Sequence, residues 1–260
     1  MPTLDSGGTT LYYEVHGAGP PLLLVHAISA GADMWRPQVD HFAKSHRVIT
    51  FDARGVGRSG PITSWRRVLA TMAEDVRALL DHLDVAQAAV CGVSFGGVLA
   101  QQFAASHPDR VERLAIVDSY SDSRPSTIGR AAWLLSVYAG ASSNLLPNRV
   151  LQSVIERQYR RWPLAAETLS AAVARLRGTD ALKTRLAINL VNFVPALGAA
   201  SFPILAVVGE DSWPRSMRFA AELRSAVPRT TVVRIPDSAD PSTLCQPARF
   251  NEVLQRFLDS

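Results

Sequence analysis

Short apolar runs alternate with amphipathic stretches along most of the chain. Residues 22–25 and 203–209 are almost continuously apolar, which is typical of strands buried on both faces of a parallel sheet. Residues 68–83 instead place their apolar side chains at helical spacing. Further strands are predicted at residues 10–15, 47–51, 88–92, 114–117 and 231–235, and further helices at about 35–44, 95–106, 215–226 and 247–258. This alternation predicts an α/β fold with a mostly parallel, doubly wound sheet.

The segment from about residue 121 to residue 200 breaks the alternation, because its pattern is helical throughout. Helices separated by proline and glycine are predicted at about 128–139, 149–161, 164–176 and 181–193. We therefore divide the chain into an α/β core of residues 1–120 and 201–260 and a helical cap of residues 121–200. Folds of this class bind ligands at the carboxyl edge of the sheet, so the cap is expected to lie over that edge.

The sharpest local pattern lies where a predicted strand meets the helix predicted from Phe95 onward. Gly92-Val93-Ser94-Phe95-Gly96 fills the turn, in the pattern Gly-x-Ser-x-Gly. A serine on so sharp a turn takes a strained backbone conformation, and the residues two positions away must be small because backbones crowd there. The following helix directs free N–H groups toward any anion near the hydroxyl. The pattern therefore predicts a nucleophile elbow centred on Ser94.

Composition excludes several classes of function. The chain has 260 residues, of which 47% are hydrophobic, and a formal net charge of +4. Its basic residues are scattered and match no nucleic-acid-binding motif, and no metal-ligand cluster or nucleotide-binding loop is recognised. Cys91 and Cys245 give no disulfide framework, and no signal peptide or membrane-spanning apolar run is recognised. We expect a cytoplasmic monomer or homodimer that binds a small-molecule substrate, with no cofactor, no metal, no nucleic acid and no membrane partner.

Taken together, these segments resemble the α/β-hydrolase fold superfamily, in particular its small cap-bearing enzymes. The resemblance implies a mostly parallel, doubly wound sheet of about eight strands with an inserted helical cap. The matching segments are residues 25–27, 52–59, 92–97 and 203–210. The resemblance implies acyl transfer with Ser94 as the nucleophile. By the same analogy, the N–H of Phe95 and an N–H near Ile28 would form the oxyanion hole, His26 would shape the oxyanion loop, and Asp52 and Arg54 would hold the loop that follows.

The other two members of the family's catalytic triad do not fit this sequence. The position of the acid falls on Ser212, one residue after Asp211, and Asp118 is a second possible acid position because some relatives place it there. The position of the histidine falls on Asp240. The last of the six histidines is His107, so no histidine follows the last predicted strand.

A serine hydroxyl is a poor nucleophile at neutral pH without an adjacent base. Asp240 is a weak base unless burial raises its pKa, and its short side chain could need a water molecule to reach Ser94. Asp240, Asp211 and His26 are the candidates for acid–base chemistry. Aromatic residues that could line an apolar pocket are Trp35, Trp133 and Trp213, and arginines that could bind an anionic group are Arg124 and Arg130.

Three functions remain open at this point. We favour a non-hydrolytic cyclase, lyase or isomerase of specialised metabolism, in which Asp240 or Asp211 acts as acid and base on an apolar substrate, because the missing histidine argues against ordinary ester hydrolysis. The second is an atypical serine hydrolase of esters, lactones or thioesters, with Ser94 and a substitute base. The third is a non-catalytic binding protein that has kept the fold.

Overall fold

The computed structural model describes residues 2–212 and 215–260. Its strands are β1 Thr3–Ser6, β2 Thr9–His16, β3 Pro21–Val25, β4 Arg47–Phe51, β5 Ala88–Val93, β6 Val111–Val117, β7 Ile204–Gly209 and β8 Thr230–Ile235. They form one eight-stranded sheet in the order β1-β2-β4-β3-β5-β6-β7-β8. The pairs that involve β2 are antiparallel and all others are parallel. The predicted fold class, a mostly parallel eight-stranded α/β-hydrolase sheet, is confirmed.

Helices flank the sheet and fill the connection between β6 and β7. Within the described residues they are α1 Arg36–Phe42, α2 Val68–His82, α3 Phe95–Ser106, α4 Ile128–Ala141, α5 Asn148–Gln158, α6 Pro163–Ala174, α7 Gly178–Ala187, α8 Val194–Ala199, α9 Ser216–Ala226, α10 Ser242–Cys245 and α11 Pro247–Leu258. Helices α4 to α8 occupy the segment that the sequence analysis assigned to the cap, and the boundaries of that cap stay a prediction. No described helix is both long enough and apolar enough to cross a membrane.

The alternating side chains of the central strands build two cores, one on each face of the sheet. Leu23 on β3 packs in the core that also holds α2 and α3. Its neighbour Leu24 packs in the opposite core, with Phe42 of α1 and Phe250 of α11. Successive side chains of a strand point to opposite faces, so a strand covered by helices on both sides is apolar throughout. This explains the continuous apolar runs in the sequence.

One predicted helix is wrong in its length. Residues 181–193 were expected to be a single helix, but α7 ends at Ala187 and α8 begins only at Val194. The intervening Leu190 has a φ of 62°, and Asn192 forms a β-bridge with Asp122. Pairing with the segment that follows β6 therefore replaces helical hydrogen bonds at this point. Three further short elements were not predicted, namely β1, α8 and α10.

The loop between β4 and α2 is held by two separate ion pairs. Asp52 accepts hydrogen bonds from the backbone N–H of Ala32 at 2.7 Å and from Nε of Arg58 at 2.9 Å. Arg54 instead pairs with Asp75 of α2, and both side chains are buried. Asp52 and Arg54 were both expected to hold this loop, and each does so through its own partners.

Candidate active site

The turn from β5 to α3 places Ser94 at the carboxyl edge of the sheet. Its φ is 55°, in the left-handed region that L-residues rarely adopt. The Ser94 N–H donates to the carbonyl of Val117 at 2.8 Å, and Ser119 Oγ donates to the Ser94 carbonyl at 2.8 Å. A Cβ at Gly92 would collide with the carbonyl oxygen of Gly96. The glycines of the Gly-x-Ser-x-Gly pattern are therefore required because the backbone folds too tightly around this serine to admit a side chain.

The loop after β8 brings a carboxylate directly to the Ser94 hydroxyl. Ser94 Oγ donates to Oδ2 of Asp240 at 2.9 Å. The expectation that a water could be needed to bridge these side chains is wrong, because the loop itself lies close enough to make up for the short side chain. Two residues between α5 and α6 also hold this loop. The Tyr159 hydroxyl donates a hydrogen bond to the Asp240 carbonyl, and Trp162 Nε1 donates one to the Asp237 carbonyl.

A second buried carboxylate, Asp118, lies at the end of β6. Its Oδ1 accepts from the Gly209 N–H at 2.7 Å and from Ser212 Oγ at 2.9 Å. Its Oδ2 accepts from the Ser242 N–H at 2.7 Å. Ser242 is two residues after Asp240, so Asp118 also anchors the loop that carries Asp240 to the serine.

The two carboxyl groups influence each other's protonation. Burial raises the pKa of Asp240 well above its usual value, and the charge of Asp118 raises it further. Burial also raises the pKa of Asp118, although its three hydrogen-bond donors act to stabilise the charged form. Within the described part of the chain, the Ser94 hydroxyl is the one hydrogen-bond donor to the Asp240 carboxyl group. When the pair holds one proton, we therefore place it on Asp240.

Two backbone N–H groups beside Ser94 are available to bind an anion. Phe95 is the first residue of α3, where N–H groups have no partner within the helix. Across residues 2–212 and 215–260, no acceptor pairs with the N–H of Phe95 or with that of Ile28. Both residues line a cavity together with Ser94. These are the two positions that the sequence analysis named for the oxyanion hole.

The structure does not bring His26 or Asp211 to Ser94. His26 is fully buried; its Nε2 accepts the Ala53 N–H at 2.9 Å and its Nδ1 lies 2.6 Å from the Ala27 carbonyl oxygen. Burial lowers its pKa, and both ring nitrogens are already bonded, so the ring is a backbone support in this structure. Asp211 is exposed and pairs with Arg161 at 2.9 Å.

The three tryptophans named from the sequence have different surroundings. Trp133 lines the cavity beside Ser94 and stacks edge-on against Tyr120 and Phe219. Trp35 is fully buried in the core on the α1 side of the sheet and does not line the cavities that reach Ser94. Trp213 lies outside the described residues.

Two cavities meet at the serine. The smaller cavity has a volume of about 580 Å³ and the larger one about 1090 Å³, and both volumes include the space at the cavity entrance. The residues that line both are Ile28, Ser94, Arg185 and Asp240. Arg185, on α7, and Tyr159, after α5, are the site residues that sequence reasoning missed. Among the described residues, no group of three or more His, Cys, Asp or Glu side chains is arranged to hold a metal ion.

Comparisons with known proteins agree with this geometry. A family model described as the alpha/beta hydrolase fold matches residues 20–242. The putative carbamate hydrolase RutD of Azorhizobium caulinodans is 40% identical over 121 residues, a match that covers 46% of this chain and 45% of that protein. The 3-oxoadipate enol-lactonase 2 of Acinetobacter baylyi is 26% identical, with 98% of this chain and 96% of that protein covered. The crystal structure of the enol-lactonase from Burkholderia xenovorans LB400 superposes with a TM-score of 0.86, 24% identity and full coverage of both chains.

These relatives are named as hydrolytic enzymes, which corrects the function favoured from the sequence. The prediction of cyclase, lyase or isomerase chemistry in specialised metabolism is wrong. It rested on the missing histidine, which was taken to leave Ser94 without a base. The structure instead provides a carboxylate in hydrogen-bond contact with the serine, so the loss of histidine does not by itself remove a proton acceptor.

Proposed function

Because the chain belongs to the alpha/beta hydrolase fold family, we propose that it hydrolyses small carboxylic esters or lactones, with Ser94 as nucleophile and Asp240 as base. The observation that carries this proposal is the 2.9 Å contact between Ser94 Oγ and Asp240 Oδ2 at the nucleophile elbow. The full-length relative named as an enol-lactonase supports the substrate class. In this proposal the triad is degenerate: it lacks histidine and consists of Ser94, Asp240 and Asp118.

The first step is the attack of Ser94 on the substrate carbonyl. Asp240 accepts the hydroxyl proton as the new C–O bond forms, which a normal aspartate does poorly because its reference pKa is about 3.9. The raised pKa of Asp240 makes its ionised form a stronger base, and general bases work best when their pKa lies near the working pH. Proton transfer also relieves the repulsion between the Asp240 and Asp118 carboxylates, so the pair favours the protonated product of this step.

The charge that develops on the carbonyl oxygen requires donors that are already in place. The unpaired N–H groups of Phe95 and Ile28 supply them, and the N-terminal end of α3 adds the positive end of its dipole. When the tetrahedral intermediate collapses, protonated Asp240 returns its proton to the leaving alkoxide. An alcohol is released, or the ring opens in a lactone, and Ser94 remains acylated.

The second half of the reaction repeats the same proton transfers with water. Asp240, again ionised, takes a proton from a water molecule that attacks the acyl carbon, and the same N–H groups hold the new oxyanion. Collapse breaks the bond to Ser94 Oγ, which regains its proton from Asp240. The products are the carboxylic acid and the free enzyme, and no cofactor takes part in these steps.

An activity-based phosphonate probe tests this proposal. We expect purified protein to gain the mass of one phosphonyl group near neutral pH, and Ser94→Ala to gain none, because only a serine with an adjacent base reacts rapidly. Ser216→Ala is the matched control, since Ser216 lines the same cavity but has no role in the proposed chemistry. Absence of labelling in the unmodified protein would contradict the proposal and would leave the non-catalytic binding protein as the remaining alternative.

Tyr159→Phe should lower kcat about three- to tenfold, since it removes one hydrogen bond worth about 1 kcal/mol from the loop that positions Asp240. KM should change little. The comparison is Trp162→Phe, which removes the neighbouring hydrogen bond to Asp237 and should affect kcat less. Steady-state kinetics on a soluble ester measures both variants, and equal effects on kcat would count against a positioning role for Tyr159.

A further inference from the structure

Arg185 is a cation in the candidate active site, where the charge of Asp240 raises its pKa and its own charge lowers that of Asp240. Across residues 2–212 and 215–260, no carboxylate lies within ion-pair distance of its guanidinium, and its Nε is buried with no hydrogen-bond partner. Burial lowers its pKa, yet arginine keeps its charge in proteins. A guanidinium that is largely removed from water without an ion-pair partner is costly, which favours the binding of an anion from outside the chain.

The arginines that the sequence analysis named for anion binding are different. Arg124 pairs with Asp122 at 2.9 Å. Arg130 pairs with Glu222 and lies 3.6 Å from Asp122. Both therefore have carboxylate partners within the protein. Among these three arginines, Arg185 is the one whose guanidinium forms no ion pair with a described residue, whereas Arg124 and Arg130 belong to ion pairs within the protein.

The position of Arg185 ties it to the reaction. It lines both cavities that meet at Ser94 and Asp240. The walls beside it in the smaller cavity are Trp133, Val137 and Ile188. Such apolar surroundings lower the local dielectric and strengthen any ion pair formed there. A guanidinium presents parallel N–H donors that match the two oxygens of a carboxylate.

We propose that Arg185 binds a second, ionised carboxyl group of the substrate, so that the enzyme acts on half-esters and lactones of dicarboxylic acids. This inference rests on the proposed hydrolytic function for the reaction, but the anion site itself does not depend on turnover. Binding of the carboxylate also offsets the cost of partly burying an arginine that has no ion-pair partner among the described residues. The pairing holds the reactive carbonyl of a short dicarboxylic half-ester within the cavity that contains Ser94.

The test compares monomethyl glutarate with dimethyl glutarate, whose far ends are an ionised carboxylate and a neutral methyl ester. We expect Arg185→Met to lower kcat/KM for the monoester by about 10- to 100-fold, the range of a charge-assisted hydrogen-bonded pair, and to change kcat/KM for the neutral diester much less. Arg157→Met is the control, because Arg157 is exposed on α5 and does not line either cavity. The diester also reports any indirect effect of Arg185 on the charge of Asp240.

A binding measurement separates this inference from the proposed reaction. Ser94→Ala cannot form the acyl-enzyme, so calorimetry with monomethyl glutarate reports binding alone, and the Ser94→Ala/Arg185→Met double variant should bind at least tenfold more weakly. Binding that needs Arg185, together with no turnover by the unmodified protein, would support the anion site and contradict the hydrolase. Equal losses on both esters, no binding to Ser94→Ala, or unchanged binding in the double variant would overturn the inference.

Discussion

Replacing Asp240 with asparagine should lower kcat/KM for ester hydrolysis by about 10²- to 10⁴-fold, the contribution of a positioned general base. Asparagine keeps the shape of the side chain and can still accept a hydrogen bond from Ser94 Oγ, but it cannot take up the proton. The phosphonate labelling rate should fall in parallel, because it depends on the same activation of Ser94. Asp211→Asn is the matched control, since Asp211 is an exposed carboxylate paired with Arg161 and should leave the rate nearly unchanged.

The same substitution should make the protein more stable near neutral pH. Burial and the charge of Asp118 raise the folded-state pKa of Asp240 above the value of about 3.9 expected in the unfolded chain. Between these two pKa values the folded state binds more protons than the unfolded state, so the free energy of unfolding falls as pH rises. The Asp240→Asn variant lacks this titrating group, so its free energy of unfolding should change less over the same pH range.

Urea unfolding followed across that pH range, together with kcat/KM, distinguishes a catalytic role from a structural one. A catalytic base gives an inactive variant that is at least as stable as the unmodified protein. If Asp240→Asn kept its activity within about threefold, Asp240 could not be the base, because a general base contributes at least about 10²-fold. If the variant were inactive and also less stable, loss of folding would explain the result and the base would remain unidentified.

The sequence predicted the sheet and the serine because both follow from local patterns. Continuous apolar runs identified the buried strands, and Gly92 and Gly96 marked a turn where a Cβ would meet backbone oxygens. The position of Asp240 came from matching the loop after the last strand to the family. Its contact with Ser94 depends on how that loop lies, which Tyr159 and Asp118 determine through long-range hydrogen bonds. The spacing of residues along the sequence does not reveal such long-range contacts.

Arg185 was missed for a related reason. Helical periodicity tells which side chains share a face, but it does not tell whether that face meets a core, solvent or a cavity. Arg124 and Arg130 looked equally suitable until their partners were known. The surface position of Asp211 could not be predicted for the same reason, since a residue one position from the family's acid is exposed and pairs with Arg161. What the sequence lacked in each case was the identity of the nearest charged neighbour.

Asp118→Asn should lower kcat/KM by about 10²-fold, the loss that a displacement of about 1 Å in a catalytic group can cause. Asp118 Oδ2 accepts the N–H of Ser242 in the loop that carries Asp240, while Oδ1 accepts from Gly209 and Ser212. An asparagine that keeps the Oδ1 contacts turns its NH₂ group toward the Ser242 N–H, so two donors face each other. We expect the free energy of unfolding near neutral pH to fall by about 1–3 kcal/mol, the cost of an unsatisfied buried donor.

The pH profile of this variant carries the more specific prediction. The charge of Asp118 raises the pKa of Asp240, so its removal should lower that pKa and move the acidic limb of kcat/KM to lower pH. Asp240 is then ionised over a wider pH range, so activity should persist to lower pH. Because Asp240 is also a weaker base, the plateau value of kcat/KM should fall. Ser212→Ala is the control, because it removes one donor to Asp118 and leaves the charge in place; its limb should stay close to that of the unmodified protein. A limb that does not move in Asp118→Asn would show that Asp118 acts on Asp240 through the loop alone and not through its charge.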